Sequence, residues 1–307
     1  MSAKAPEIAI KGSENLRAVV ISASWHEDIC QSLVDGAVRG LKSGAVSKIE
    51  LRKVAGSFEL PLAAQLAFDE GFADNGGIQI AYRDYGPASG KPILLVTGLG
   101  AQLTLWPDFL IEDLQANNFR PIAFDNRDVG LSTRFSSKPS QTLNYLKYFM
   151  FIPINSEYSI QDMASDGIAV LDHLNIDYAH ILGMSMGGMI SQVLVAEHPK
   201  RAKSFTMISS TASTPNPFNG PKFKVTQQLL KRSAPRDNIE GRIDQSIELF
   251  QLIGTPGKNY DTPQFRKDMR AYILRGGDDD GFLRQMAAII GSKNRKDLIT
   301  SIHIPTL

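Results

Sequence analysis

The 307-residue sequence contains one cysteine, Cys30. A lone thiol excludes an internal disulfide and any cysteine-based metal cage, and its helical setting predicts a small buried residue. A surplus of one charge is also missing. The 33 Lys and Arg stand against 32 Asp and Glu, for a formal charge of +1. That leaves no electrostatic footprint for nucleic acid or an anionic membrane. Long apolar runs are absent too: the most apolar window, residues 148–154, is too short to cross a bilayer and contains Pro153. The first residues lack the apolar stretch of a signal peptide, so a soluble, cytoplasmic protein without a membrane partner is expected. With 43% hydrophobic and 21% charged residues, 25 Gly and 16 Pro, the composition excludes disorder, collagen and coiled coil.

What is present reads as alternating strands and helices. Residues 17–24 are an apolar, β-rich run. Ile29, Leu33, Ala37, Val38 and Leu41 then recur at helical spacing, and Gly44 stands at the expected stop. A second strand is expected over 48–55 and a short helix after Pro61. Residues 69–77 are polar and glycine-rich, the composition of a turn or linker. Beyond them Ile78, Ile80 and Tyr82 alternate as in a half-buried strand. Continuous apolar runs follow at 92–97, 120–124, 180–184 and 204–209, separated by helical patterns, which argues for a parallel sheet covered on both faces. Residues 211–300 are richer in Pro, Lys and Asp, with amphipathic stretches at 225–231 and 243–253, as an insertion over the sheet would be. Residues 276–281 (GGDDDG) lack the alternating ligand spacing of a calcium loop and read as a solvated turn. No metal or cofactor is expected.

The segment that carries chemistry is Gly183-Met184-Ser185-Met186-Gly187, a G-x-S-x-G pattern with a strand running into it and a helix leaving it. On such a sharp turn the glycines Gly183 and Gly187 avoid collisions two residues either side. Ser185 Oγ is lifted above the sheet, and the helix N-terminus directs its N–H dipoles at a developing oxyanion. A rival reading takes Gly98-x-Gly100 after a strand, with Asp125 ending the next, as a dinucleotide fingerprint. Leu103 at the third glycine position would keep the helix from packing close, and counts against it.

Residues 76–307 resemble the α/β-hydrolase family. Thr97-Gly98-Leu99-Gly100 stands at the oxyanion turn, and Asp125–Ser132 is similar to the D-x-R-G-x-G-x-S loop. Leu105-Trp106-Pro107 and Asp125-Asn126-Arg127-Asp128 resemble the aclacinomycin-methylesterase-like group. The resemblance implies a doubly wound, mostly parallel sheet with a helical cap, core 71–210 and cap 211–300. It implies a Ser185 nucleophile, oxyanion donors at the backbone N–H groups of Leu99 and Met186, and a small-molecule ester as substrate. Phe218, Phe223, Phe250 and Leu252 of the cap would select an apolar acyl or aromatic group.

In that family the triad acid and histidine follow the seventh and eighth strands. After Ser185 the sequence has only His198, at a helix end, and His303, in 301–307, which resembles the start of the seventh strand. The resemblance therefore implies an incomplete fold lacking two triad members and impaired as an enzyme. It also implies an unpaired sixth strand, with self-association through that exposed edge, aggregation or partial unfolding as consequences.

A second resemblance covers residues 17–70, within a unit expected over 1–70. Residues 22–30 (SASWHEDIC) and 54–61 (VAGSFELP), with β-α-β between them, resemble the first third of lumazine synthase, a flavodoxin-like fragment. That family implies Trp25 stacking on a pyrimidine, with Ser57 and Glu59 holding the ribityl chain. Read without it, Trp25 is a core residue and Glu59 a helix N-terminal acid. Three functional readings stay open: a serine esterase, a riboflavin-pathway catalyst or binder, and a non-catalytic fusion of fragments.

Overall fold

The computed structural model describes residues 17–24, 26–46, 48–54, 60, 70–150, 152, 154–213, 223–229, 234–235, 238–276 and 279–307. The chain divides into two units, Met1–Glu70 and Gly71–Leu307.

In the first unit β1 (Arg17–Ala23) and β2 (Lys48–Val54) pair in parallel from Arg17↔Lys48 to Ala23↔Val54, joined through helix α1 (Glu27–Ser43). Glu27 and Asp28 place negative charge at the positive end of α1, and the Gly44 N–H closes its other end onto Gly40 O. None of the expected apolar stripe is buried, Ile29 and Leu33 being 62% and 68% exposed, and the buried position is the neighbouring Val34, because two strands offer a narrow surface. Cys30 is half-buried rather than buried, which corrects the sequence expectation.

The second unit is built on a six-stranded sheet of β3 (Gly71–Asn75), β4 (Ile78–Asp84), β5 (Lys91–Val96), β6 (Phe119–Phe124), β7 (Ala179–Met184) and β8 (Ala202–Ile208). Their spatial order is β3-β4-β6-β5-β7-β8; β5 to β8 run parallel and the β3–β4 hairpin is antiparallel. The polar stretch at 71–75 is therefore a strand, not a linker. Its hairpin turns on Gly76 and Gly77, at φ 62° and 91°, as a two-residue primed turn requires. Its polarity fits an edge strand, where Ala73 is buried and Asp74 faces solvent.

Alternation along the central strands divides the core in two. Leu94, Val96, Ile122, Phe124 and Ile181 face helices α4 (Ile160–His173) and α5 (Met186–Glu197). Ile93, Leu95, Ala123 and Leu182 face Leu103, Trp106 and Ile111, the last on α2 (Asp108–Ala116). Helix α3 (Gln141–Phe149) precedes α4, which opens on a reciprocal Ser159–Asp162 capping box.

Among the described residues four longer helices, where periodicity marks two, follow β8: α6 (Phe223–Leu229), α7 (Ile239–Ile253), α8 (Pro263–Arg275) and α9 (Asp279–Gly291). Ile243, Ile247 and Met269 bring α7 and α8 together over Leu105. A short α10 (Lys296–Ile299) leads to the last residues, which pair with the middle of β8 as the start of a further strand would, while β8 remains the last strand of the sheet. Thr306 bridges Phe205 in parallel, and Phe205 N–H, Leu307 N–H and Met207 N–H donate to Pro305, Phe205 and Leu307 carbonyls at 2.9 Å each. Among the described residues no helix is long and apolar enough to cross a membrane.

Candidate active site

Ser185 is the single residue between β7 and α5, at φ 55° and ψ −120°. A non-glycine residue there is strained, and its surroundings hold it. Its N–H donates to Ile208 O at 2.9 Å, while its carbonyl accepts from Ser210 Oγ at 2.6 Å and Gly188 N–H at 3.0 Å. The turn works only with glycine beside it. A Cβ on Gly187 would stand 2.0 Å from Val96 O, and one on Gly183 would stand 2.5 Å from Gly187 O. The residue itself is exposed, in contrast to the fully buried first turn of α5.

Beside it lies the segment after β5. A Cβ on Gly98 would come within 3.2 Å of Ser185 Cβ, so the Gly98 backbone passes directly alongside the serine. Gly98–Ala101 is a turn closed by Ala101 N–H donating to Gly98 O at 3.2 Å, with Thr97 Oγ1 donating to Ala101 O at 2.9 Å. Asn126 Nδ2 donates to Thr97 O at 3.1 Å. Among the described residues, the N–H groups of Leu99 and Met186 have no acceptor in the protein. The Met186 N–H is one of the orphan donors of a helix start.

The loop after β6 supports this segment. Asp125 accepts from Leu103 N–H at 2.7 Å and Leu131 N–H at 3.0 Å, and pairs with Arg275 of α8 at 2.7 Å. Arg127 grips Asp166 of α4 through two bonds, at 2.7 and 2.8 Å. Arg284 of α9 grips Asp128 likewise, at 2.8 Å each. Asp125 is thus a fully engaged brace, and the dinucleotide reading loses its ribose-binding acid. Sequence reasoning did not find Arg275 or Arg284. The available signal was the acid-rich Asp125–Asp128 stretch, whose burial demands cationic partners.

The four histidines of the second unit lie elsewhere. His180 is at the opposite end of β7, five residues from Ser185 and so roughly 16 Å away along a strand. There its Nδ1 meets Ser204 Oγ at 2.7 Å. His198 follows the last turn of α5, roughly 20 Å from Ser185 along the helix axis. The His173 ring packs on Tyr82 with centroids 5.6 Å apart. His303 is exposed and precedes the segment pairing with Phe205, towards the start of β8. Among the described residues no side chain hydrogen-bonds Ser185 Oγ, and no group of three or more His, Cys, Asp or Glu could hold a metal.

Of the expected acyl-selecting residues, Phe250 packs against Tyr260 and Phe265, while Leu252 is 39% exposed. Phe218 and the Phe223 side chain lie outside the described residues, as do Trp25, Ser57 and Glu59.

Residues 91–287 match the alpha/beta hydrolase fold family, and the chain belongs to it. Residues 15–80 match 6,7-dimethyl-8-ribityllumazine synthase. The chain is 27% identical over 202 residues to rhodomycin D methylesterase DauP of Streptomyces sp. (strain C5), covering 59% of this chain and 61% of that protein. Its first part is 42% identical over 73 residues to the 6,7-dimethyl-8-ribityllumazine synthase of Streptomyces avermitilis, covering 24% of this chain and 45% of that one. The chain thus spans about three fifths of the curated methylesterases it matches and under half of the lumazine synthases. Among solved structures, the enol-lactonase of Burkholderia xenovorans LB400 shares the fold, with TM-score 0.56, 20% identity, and coverage of 77% of this chain and 79% of that one.

Proposed function

We propose that the second unit is an acyl hydrolase acting on a small-molecule ester through Ser185. The observation that carries this is the strained, exposed Ser185 at φ 55°, next to two N–H groups that have no acceptor among the described residues. Ser185 Oγ attacks the ester carbonyl. The carbonyl oxygen takes up negative charge between the Leu99 and Met186 N–H groups, and the alcohol leaves with a proton as the acyl-serine forms. Water then releases the acid and restores the hydroxyl. An ester is favoured over other acyl substrates by the likeness to a methylesterase. Phe250 and its aromatic neighbours favour an apolar group on it.

Proton removal from Ser185 is the step this arrangement serves least, since all four histidines of the unit lie elsewhere. This chain is therefore expected to act at a residual rate, set by the oxyanion donors and by base from solution. Because Ser185 is exposed, soluble imidazole reaches it. The test is acylation by a p-nitrophenyl ester with and without imidazole, the acyl adduct being located by mass spectrometry. Imidazole-dependent acylation at Ser185, lost in Ser185→Ala, is expected. Equal release of nitrophenol by both proteins, with no adduct, would overturn the proposal.

A further inference from the structure

The Gly98–Ala101 turn is held from helices almost two hundred residues further along the chain. Gly100 N–H donates to Gln285 Oε1 of α9 at 2.8 Å, and the Tyr272 hydroxyl of α8 donates to Gly100 O. Gln285 is fully buried, and its Nε2 donates to Arg127 O at 2.8 Å. The amide therefore cannot flip: reversed, its NH2 would confront the Gly100 N–H and its oxygen would confront the Arg127 carbonyl. Phe282, one turn before Gln285, sits against Gly100 as well, since a Cβ there would stand 2.8 Å from the ring. Gly100 itself is at φ 66°, a conformation that can relax once its partners are removed.

A peptide group is planar and trans, so the Leu99 N–H points away from the Gly98 carbonyl that Ala101 holds. The two peptides that follow are those held by Gln285 and Tyr272. Release of either lets the turn rotate and re-aim the Leu99 N–H. We propose that Gln285 and Tyr272 are positioning residues for the oxyanion donor, so that the seating of α8 and α9 determines whether the acyl-transfer site is formed. This rests on the reading of Ser185 and Leu99 given above. It goes beyond that reading by making the insertion part of the catalytic geometry as well as a cover that selects substrate.

The experiment uses the whole chain, with Tyr272→Phe and Gln285→Met compared in the imidazole-driven p-nitrophenyl ester assay. Tyr272→Phe removes one oxygen and keeps the ring, so it serves even where Gln285→Met does not fold. Misplacing rather than deleting an oxyanion donor should lower kcat by about 10- to 100-fold with KM unchanged. Amide hydrogen exchange at Gly100, read independently of activity, should accelerate in Gln285→Met. A merely structural role would lower the amount of folded protein and leave kcat per folded molecule unaltered. Ser185-dependent acylation in the parent chain with unchanged kcat in the folded variants would overturn this inference alone. Ser185-independent turnover in the parent chain would overturn the underlying reading and this inference with it.

Discussion

The Arg275 guanidinium meets the Asp125 carboxylate at 2.7 Å with both side chains almost wholly out of solvent, at 1% and 0% exposure. The same carboxylate caps Leu103 N–H and Leu131 N–H, so one acid ties the insertion, the segment after β5 and the loop after β6 together. Asp125→Asn keeps the shape and removes the charge, taking from the buried guanidinium the carboxylate it meets at 2.7 Å. Breaking such a pair from one side costs about 3–5 kcal/mol. Urea unfolding followed by the fluorescence of buried Trp106 should show a loss of that size, and a loss below about 1 kcal/mol would mean that the pair is solvated in solution.

Close packing at the elbow sets the second expectation. Gly187→Ala puts a methyl group 2.0 Å from Val96 O, a backbone atom that cannot swing aside. Helix α5 must then lift from β5, and destabilisation of about 3 kcal/mol is expected, at the upper end for overpacking. Gly40→Ala in α1 is the contrasting case. A Cβ there meets nothing within 4 Å, and the helix should gain about 0.5–1 kcal/mol. Thermal unfolding of the two variants should move in opposite directions.

The contrast between these glycines shows what the sequence discloses. The elbow is legible because its strand, turn and helix are contiguous, and each strand buried on both faces shows as an unbroken apolar run. β7 and β8 lie within two residues of the expected positions. β3 is illegible because an edge strand is polar on its open side, so Gly71–Asn75 has the composition of a linker until β4 supplies its hydrogen bonds. The supports of the oxyanion turn are illegible for another reason. Gln285 and Tyr272 meet Gly100 across 185 and 172 residues, and no local periodicity records a polar contact over such a separation.

His180 supplies a pH dependence unrelated to catalysis. Burial, followed by the charges of Lys91 and Lys203, holds its imidazole below the ordinary value of 6.5. In the unfolded chain the ring protonates near 6.5, whereas in the folded chain it resists until lower pH. The unfolded state thus binds more protons in that interval, and stability falls as pH drops below 6.5 towards the folded value. His180→Gln should flatten this part of the stability curve and leave the curve above 6.5 parallel to the parent's. Denaturant midpoints taken across the interval decide it; an identical slope in parent and variant would remove His180 as the cause.

The separation of Ser185 from every histidine of its unit predicts the shape of the pH–rate profile. An internal imidazole base gives a rate that levels off above its own pKa, typically about 6–7. With base drawn from solution, acylation of Ser185 without added imidazole should climb roughly tenfold per pH unit from about pH 6 to 8, with no plateau. Adding imidazole should impose a plateau that follows the titration of the free imidazole and scales with its concentration. Stopped-flow measurement of nitrophenol release, with the Ser185→Ala background subtracted, distinguishes the two shapes. A plateau present without imidazole and removed by His173→Gln would show that α4 delivers a base to the elbow, against the packing of that ring on Tyr82.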